Sequence, residues 1–178
     1  MDALDKDELT ELLVRVDTET FLSIGELQPH AHMVIVGGSA FILSDLTRRP
    51  VTCDVDVFAV DSAIAGIVAE YTAFNGSVAA YADEIPYNFE ERLEKLDMRT
   101  KCVDYFTPCL EDLAVMKLYA WRPNDISDLT SPAVLESIDW DLLSRLVHDD
   151  DEARASALFE RRYREMVSTY EDYERRWK

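Results

Sequence analysis

Asp54 and Asp56 stand one residue apart in the stretch Val51 to Val60, whose other side chains are mostly apolar. In a strand, residues i and i+2 face the same side, with Cβ atoms about 6–7 Å apart. Two like charges that close on an apolar strand need protons or a divalent cation to compensate them. Mg²⁺ binds carboxylate oxygens together with phosphate oxygens and water, so the pair suits magnesium, or manganese, beside a phosphate. The alternative is a strand edge with solvated acids.

A phosphate-sized feature lies nearby in sequence. Gly37-Gly38-Ser39 closes the apolar run His32 to Val36 and ends 15 residues before Asp54. Glycines let a backbone approach a ligand closely. A helix start and the Ser39 hydroxyl would offer donors to a phosphate. The third glycine of a dinucleotide fingerprint is missing, and no Gly-Lys-Ser/Thr of a Walker loop occurs, so a Rossmann unit is disfavoured.

Further charged candidates follow. Lys117 interrupts the otherwise apolar run Leu113 to Trp121; it must reach a counter-ion, such as a triphosphate or the aspartate pair, or snorkel to water. Asp125 and Asp128 are one helical turn apart and read either as helix-start acids or as site acids. Asp104 is the one acid in the extended stretch Lys101 to Phe106; it reads as a third metal carboxylate or as an edge acid. Arg48 and Arg49 would steer a triphosphate or end a helix.

The elements that must position these groups follow from periodicity. Helices are expected over 5–16, 40–46, 62–74, 90–96, 110–121, 125–129, 133–147 and 152–177, and strands over 32–36, 51–60, 77–82 and 98–106. That order implies an α+β fold: a mixed β-sheet flanked by helices over 1–130, then a helical C-terminal extension, 131–178, packed on that core.

Composition bounds the partners. The 178 residues carry 18 basic and 36 acidic side chains, a net charge of −18. Such a chain repels bare nucleic acid and anionic membranes unless a local basic patch overrides the field. No apolar stretch is long enough to cross a bilayer. The acidic start, with five acids and one lysine in residues 1–11, does not resemble a secretory leader. Three cysteines without a Cys-x-x-Cys disfavour a disulfide framework or zinc site and fit a reducing cytoplasm. His30 and His32 read as loop residues. The C-terminal aromatics Phe159, Tyr163, Tyr170, Tyr173 and Trp177 read as core or a partner-facing stripe rather than a base-stacking platform.

Taken in order, Val36-Gly37-Gly38-Ser39-Ala40, Arg49-Pro50, Thr52-x-Asp54-Val55-Asp56-Val57, Leu110-Glu111-Asp112-Leu113 with Lys117, and Arg122 with Asp125-Ile126-x-Asp128-Leu129 resemble the nucleotidyltransferase superfamily of polymerase-beta-like fold. The pattern is similar to the small bacterial nucleotidyltransferases related to the AbiEii toxins, of the DUF6036 type, over residues 33 to 130. The resemblance implies a nucleoside triphosphate seated by Gly37, Gly38, Ser39, Arg49 and Lys117. It implies Mg²⁺ or Mn²⁺ on Asp54 and Asp56, with Asp104 or Asp125 as third ligand or base. The expected activity is transfer of a nucleoside monophosphate to a hydroxyl of an RNA or protein acceptor, in a toxin with a cognate antitoxin. The competing reading keeps the fold as a nucleotide- or protein-binding module without turnover.

Overall fold

The computed structural model describes residues 3–178, the side chain of Ala79 excepted. The chain divides into two units: one formed by residues up to Asp45, Arg49–Ala79 and Glu94–Thr107, the other by Leu46–Arg48, Ala80–Leu93 and Pro108–Lys178. This partition does not follow the expected boundary at residue 130. Helix α4 (Leu110–Ala120) packs on the later helices α7 (Trp140–His148) and α9 (Glu160–Trp177), so it belongs with them.

The first unit is built on a mixed five-stranded sheet. Its strands are β1 (Ala31–Val36), β2 (Val55–Val60), β3 (Phe74–Asn75), β4 (Glu94–Lys95) and β5 (Val103–Thr107), in the order β3-β2-β1-β5-β4. β1 runs antiparallel to β2 and parallel to β5. Period-two alternation sends Met33, Ile35, Val55, Val57, Val103 and Tyr105 to a buried face. His32, Asp56, Phe58, Asp104 and Phe106 take the more open face.

Helix α1 (Lys6–Ile24) begins at Asp5, whose carboxylate accepts from the Glu8 N–H while the Glu8 carboxylate accepts from the Asp5 N–H. Its stripe of Leu9, Leu12, Leu13 and Val16 is buried, and it packs on α2 (Gly37–Leu43) and α3 (Ser62–Val68). Buried Asp17 accepts from the backbone N–H groups of Lys101, Cys102 and Val103 at 2.8–3.1 Å. The Tyr105 hydroxyl donates to the Leu13 carbonyl at 2.7 Å. One carboxylate and one phenol thus fasten the start of β5 to α1, satisfying backbone donors that the sheet leaves unpaired.

The second unit is helical. Besides α4, α7 and α9 it holds α5 (Pro123–Leu129), α6 (Pro132–Ser137) and α8 (Ala153–Ser156). The Tyr173 ring lies against Trp121 and Trp140, and its hydroxyl donates to the Leu129 carbonyl at 2.7 Å. Arg92 donates to both oxygens of fully buried Asp112 and to both oxygens of Glu152 at 2.8–3.0 Å. The planar guanidinium suits such paired recognition.

Several expected elements differ. The strand expected over 77–82 is instead 3-10 helical within Gly76–Glu84, with a kink at Tyr81; its alanines favour helical backbone. The helix expected over 90–96 is a short 3-10 helix, Phe89–Arg92, followed by β4. The helix expected over 133–147 is interrupted at Ile138, which is extended, and Asp139 caps a new helix by accepting from the N–H groups of Asp141 and Leu142. The strand expected from 51 starts at Val55, because Thr52 bridges to Leu4 and the chain bends through Cys53 and Asp54. Among the described residues no helix is long and apolar enough to cross a membrane.

Candidate active site

The glycine turn and the aspartate strand meet in the first unit. The last β1 residue, Val36, is the register partner of Asp56, and Gly37 follows it with a left-handed φ of +65°. A Cβ on Gly37 would run into the Asp56 carboxylate, on the side of Oδ2. A Cβ on Gly38 would run into the Arg49 guanidinium. An anionic and a cationic group therefore lie over consecutive α-carbons, at a place where only glycine leaves room. Helix α2 starts at Gly37 rather than after the glycines, so both lie in its first turn.

Gly37→Ala is expected to be costly twice over. The left-handed conformation alone costs a non-glycine residue about 1–2 kcal/mol. The Asp56 carboxylate must also move. A lowered urea midpoint together with lost transfer activity is the expected outcome. A variant as stable and active as the parent would show that the close approach is not needed.

Ser39 is buried, and its hydroxyl donates to the Val36 carbonyl at 3.0 Å. Its proton is committed to the turn. Asp54 is half-buried in the bend before β2. Asp56 accepts at Oδ1 from Asn75 Nδ2 at 3.0 Å. Asn75 is the Cα partner of Asp56 across β2 and β3. It was legible in the sequence only as part of an Asn-Gly helix stop, because nothing local marks its pairing with β2.

The structure does not bring Asp104 to this pair. Asp104 is the register partner of His32, four residues before Val36, which sets it about 13 Å away along the sheet. Its carboxylate instead meets His30 Nδ1 at 2.9 Å and Lys95 Nζ at 2.8 Å. The β5 residue beside Val34, nearer the glycine turn, is Phe106. Among the described residues no group of three His, Cys, Asp or Glu side chains is arranged to hold a metal ion. A two-carboxylate, all-oxygen donor set is nevertheless what Mg²⁺ takes when phosphates and water supply the remaining ligands.

Lys117 and Asp125 belong to the second unit and are brought together there. The Lys117 ammonium lies 3.2 Å from Asp125 Oδ1 and 2.7 Å from Asp128 Oδ2, and all three side chains are buried. Asp125 also accepts from the Arg122 backbone and side chain at 3.0 and 2.8 Å. Asp128 accepts from the Thr47 hydroxyl, and the Ser131 hydroxyl donates to the Leu46 carbonyl at 2.6 Å. Arg48 is exposed.

Two of these carboxyls are shifted in acid. Burial pushes Asp104 up, but Lys95 and His30 outweigh it and hold the group below its ordinary value. Burial likewise pushes Asp125 up, and Arg122 and Lys117 outweigh it. A depressed folded-state value contributes stability that is present above the ordinary carboxylate range and lost as pH falls through the lowered value. Urea midpoints are therefore expected to fall as pH drops from the ordinary carboxylate range through the lowered values of Asp104 and Asp125. Asp104→Asn should flatten part of that fall; a variant curve parallel to the parent's would remove Asp104 from the account.

The model of family DUF6036, a nucleotidyltransferase of unknown function, matches residues 11–178. Searches of the curated proteins and of the solved structures gave no match.

Proposed function

We propose, from the premise that this chain belongs to the DUF6036 nucleotidyltransferases, that it moves a nucleoside monophosphate from a nucleoside triphosphate to an acceptor hydroxyl at the Gly37–Asp56 turn, the hydroxyl oxygen bonding to the α-phosphorus as the α–β phosphoanhydride bond breaks and pyrophosphate leaves. The observation that carries this reading is the contact pattern of the two glycines, which sets the Asp56 carboxylate and the Arg49 guanidinium over consecutive α-carbons of the turn. Asp54 and Asp56 would hold Mg²⁺ or Mn²⁺. When bound, such an ion would neutralise phosphate charge and lower the pKa of the attacking hydroxyl.

The chain's own groups supply the rest. Arg49, beside Gly38, gives a phosphate a planar cationic partner. Gly37 and Gly38 leave the room that the Asp56 carboxylate and the Arg49 guanidinium occupy, and Ser39 holds the turn's shape from inside. Lys117 belongs to the other unit and is paired there with Asp125 and Asp128. The acceptor, RNA or protein, and the role as a toxin held by an antitoxin belong to the same proposal. The net charge of −18 weighs against bare RNA.

A binding module without turnover is the second reading. The position of Asp104, tied to His30 and Lys95 rather than to the aspartate pair, favours it. Incubation with labelled nucleoside triphosphates, Mg²⁺ and a cell lysate separates the two. Label on a macromolecule that is lost on omitting Mg²⁺ supports transfer. Triphosphate binding by calorimetry with no labelled product supports the module.

A further inference from the structure

The geometry points to Asn75 as a positioning residue of Asp56, an inference that rests on the metal-dependent reading above. Asn75 sits on the two-residue strand β3, which exists because Val55 N–H donates to the Ala73 carbonyl and Phe74 pairs with Val55. That pairing brings Asn75 opposite Asp56. Its amide has a defined orientation. The backbone N–H of Ser77 meets Asn75 Oδ1 at 3.1 Å. An N–H can only donate, so the oxygen must face Ser77, and the NH₂ is left to face Asp56. The NH₂ then donates to Asp56 Oδ1 at 3.0 Å, while Oδ2 lies toward Gly37.

Asp56 is thereby held from both sides. One oxygen is tied by a donor whose own direction is set by the next turn of chain, and the other is confined by the bare α-carbon of Gly37. The short strand β3 and the turn into the 3-10 helix have a use beyond closing the sheet edge: they carry the amide that aims the carboxylate. Groups that orient a ligating carboxylate typically change metal affinity about 10–100-fold when removed. Asn75 touches neither metal nor phosphate in this account and acts through Asp56.

The test titrates Mn²⁺ into the full chain by electron paramagnetic resonance, in the presence of each of the four ribonucleoside triphosphates in turn. Asn75→Ala removes both contacts. Asn75→Ser keeps a short oxygen for the Ser77 N–H but cannot span to Asp56, so the turn survives if the alanine variant fails to fold. Circular dichroism checks both. Mn²⁺ binding about 10–100-fold weaker in both variants is expected. In an Asp56→Asn background the same changes should add less than about twofold, since the coupled partner is gone. Folded variants that bind Mn²⁺ like the parent, or losses that add in full to Asp56→Asn, overturn the assignment of Asn75 alone. A parent chain that takes up no Mn²⁺ with any triphosphate overturns the metal reading of Asp54 and Asp56, and Asn75's role with it.

Discussion

Asp56→Asn is expected to slow nucleotidyl transfer by at least about 10²-fold while leaving the circular dichroism spectrum unchanged. Asparagine matches aspartate in shape, so the crowded space above Gly37 is still filled without collision. What changes is charge. An amide has one acceptor oxygen where the carboxylate had two, and no negative charge with which to hold a cation against a triphosphate. The Asn75 amide, which now donates to Asp56 Oδ1, would face a group that is itself half donor. Measured single-turnover transfer of label is the readout. A variant that keeps a third or more of the parent's rate would remove Asp56 from the mechanism.

Lys117→Met is expected to produce the largest loss of stability, about 3–5 kcal/mol. Lys117 is 5% exposed and its ammonium lies between Asp125 and Asp128, which are themselves 4% and 0% exposed. Removing the cation leaves two carboxylates close together in a desolvated place, and that penalty exceeds the worth of the original pairs. Against a typical total of about 5–15 kcal/mol, the variant would unfold at a much lower urea concentration. Adding Asp125→Asn and Asp128→Asn should recover part of the loss, since the buried charges are then gone. A single variant less than about 1 kcal/mol weaker than the parent would show that the cluster is solvated. Activity of any Lys117 variant is informative only at a temperature where unfolding measurements show it folded.

The boundary between what was legible and what was not falls at particular residues. The glycine turn before a helix was readable as a local pattern; of the two acids read in one strand, Asp56 lies in β2 and Asp54 falls in the bend before it. The mixed sheet with flanking helices was readable for the same reason, since period two and period 3.6 are written in short windows. The start of β2 was not, because it depends on Thr52 bridging to Leu4, far away in sequence. The 3-10 helix at Gly76–Glu84 was not, because a run with valine, tyrosine and alanine is ambiguous until a neighbouring strand is present or absent.

Asp104 shows the limit most sharply. Its parity was undecidable from sequence, and its parity turned out to match that of Asp56. Register, not parity, separates them: β5 is aligned so that Asp104 lies beside His32, at the opposite end of β1 from the glycines. The same holds for Asn75, whose partner is set by a parallel pairing that no local signal encodes.

Residue types and short spacings thus determined on their own that this chain carries two neighbouring acids, a glycine turn and a lysine within an apolar run, in an α+β fold. The folded chain decided which of them stand together: Gly37 under Asp56, Gly38 under Arg49, Asn75 on Asp56, and Lys117 between Asp125 and Asp128. Strand register and helix packing join residues that are distant in sequence, and their energy comes from side chains that meet only after the backbone has closed.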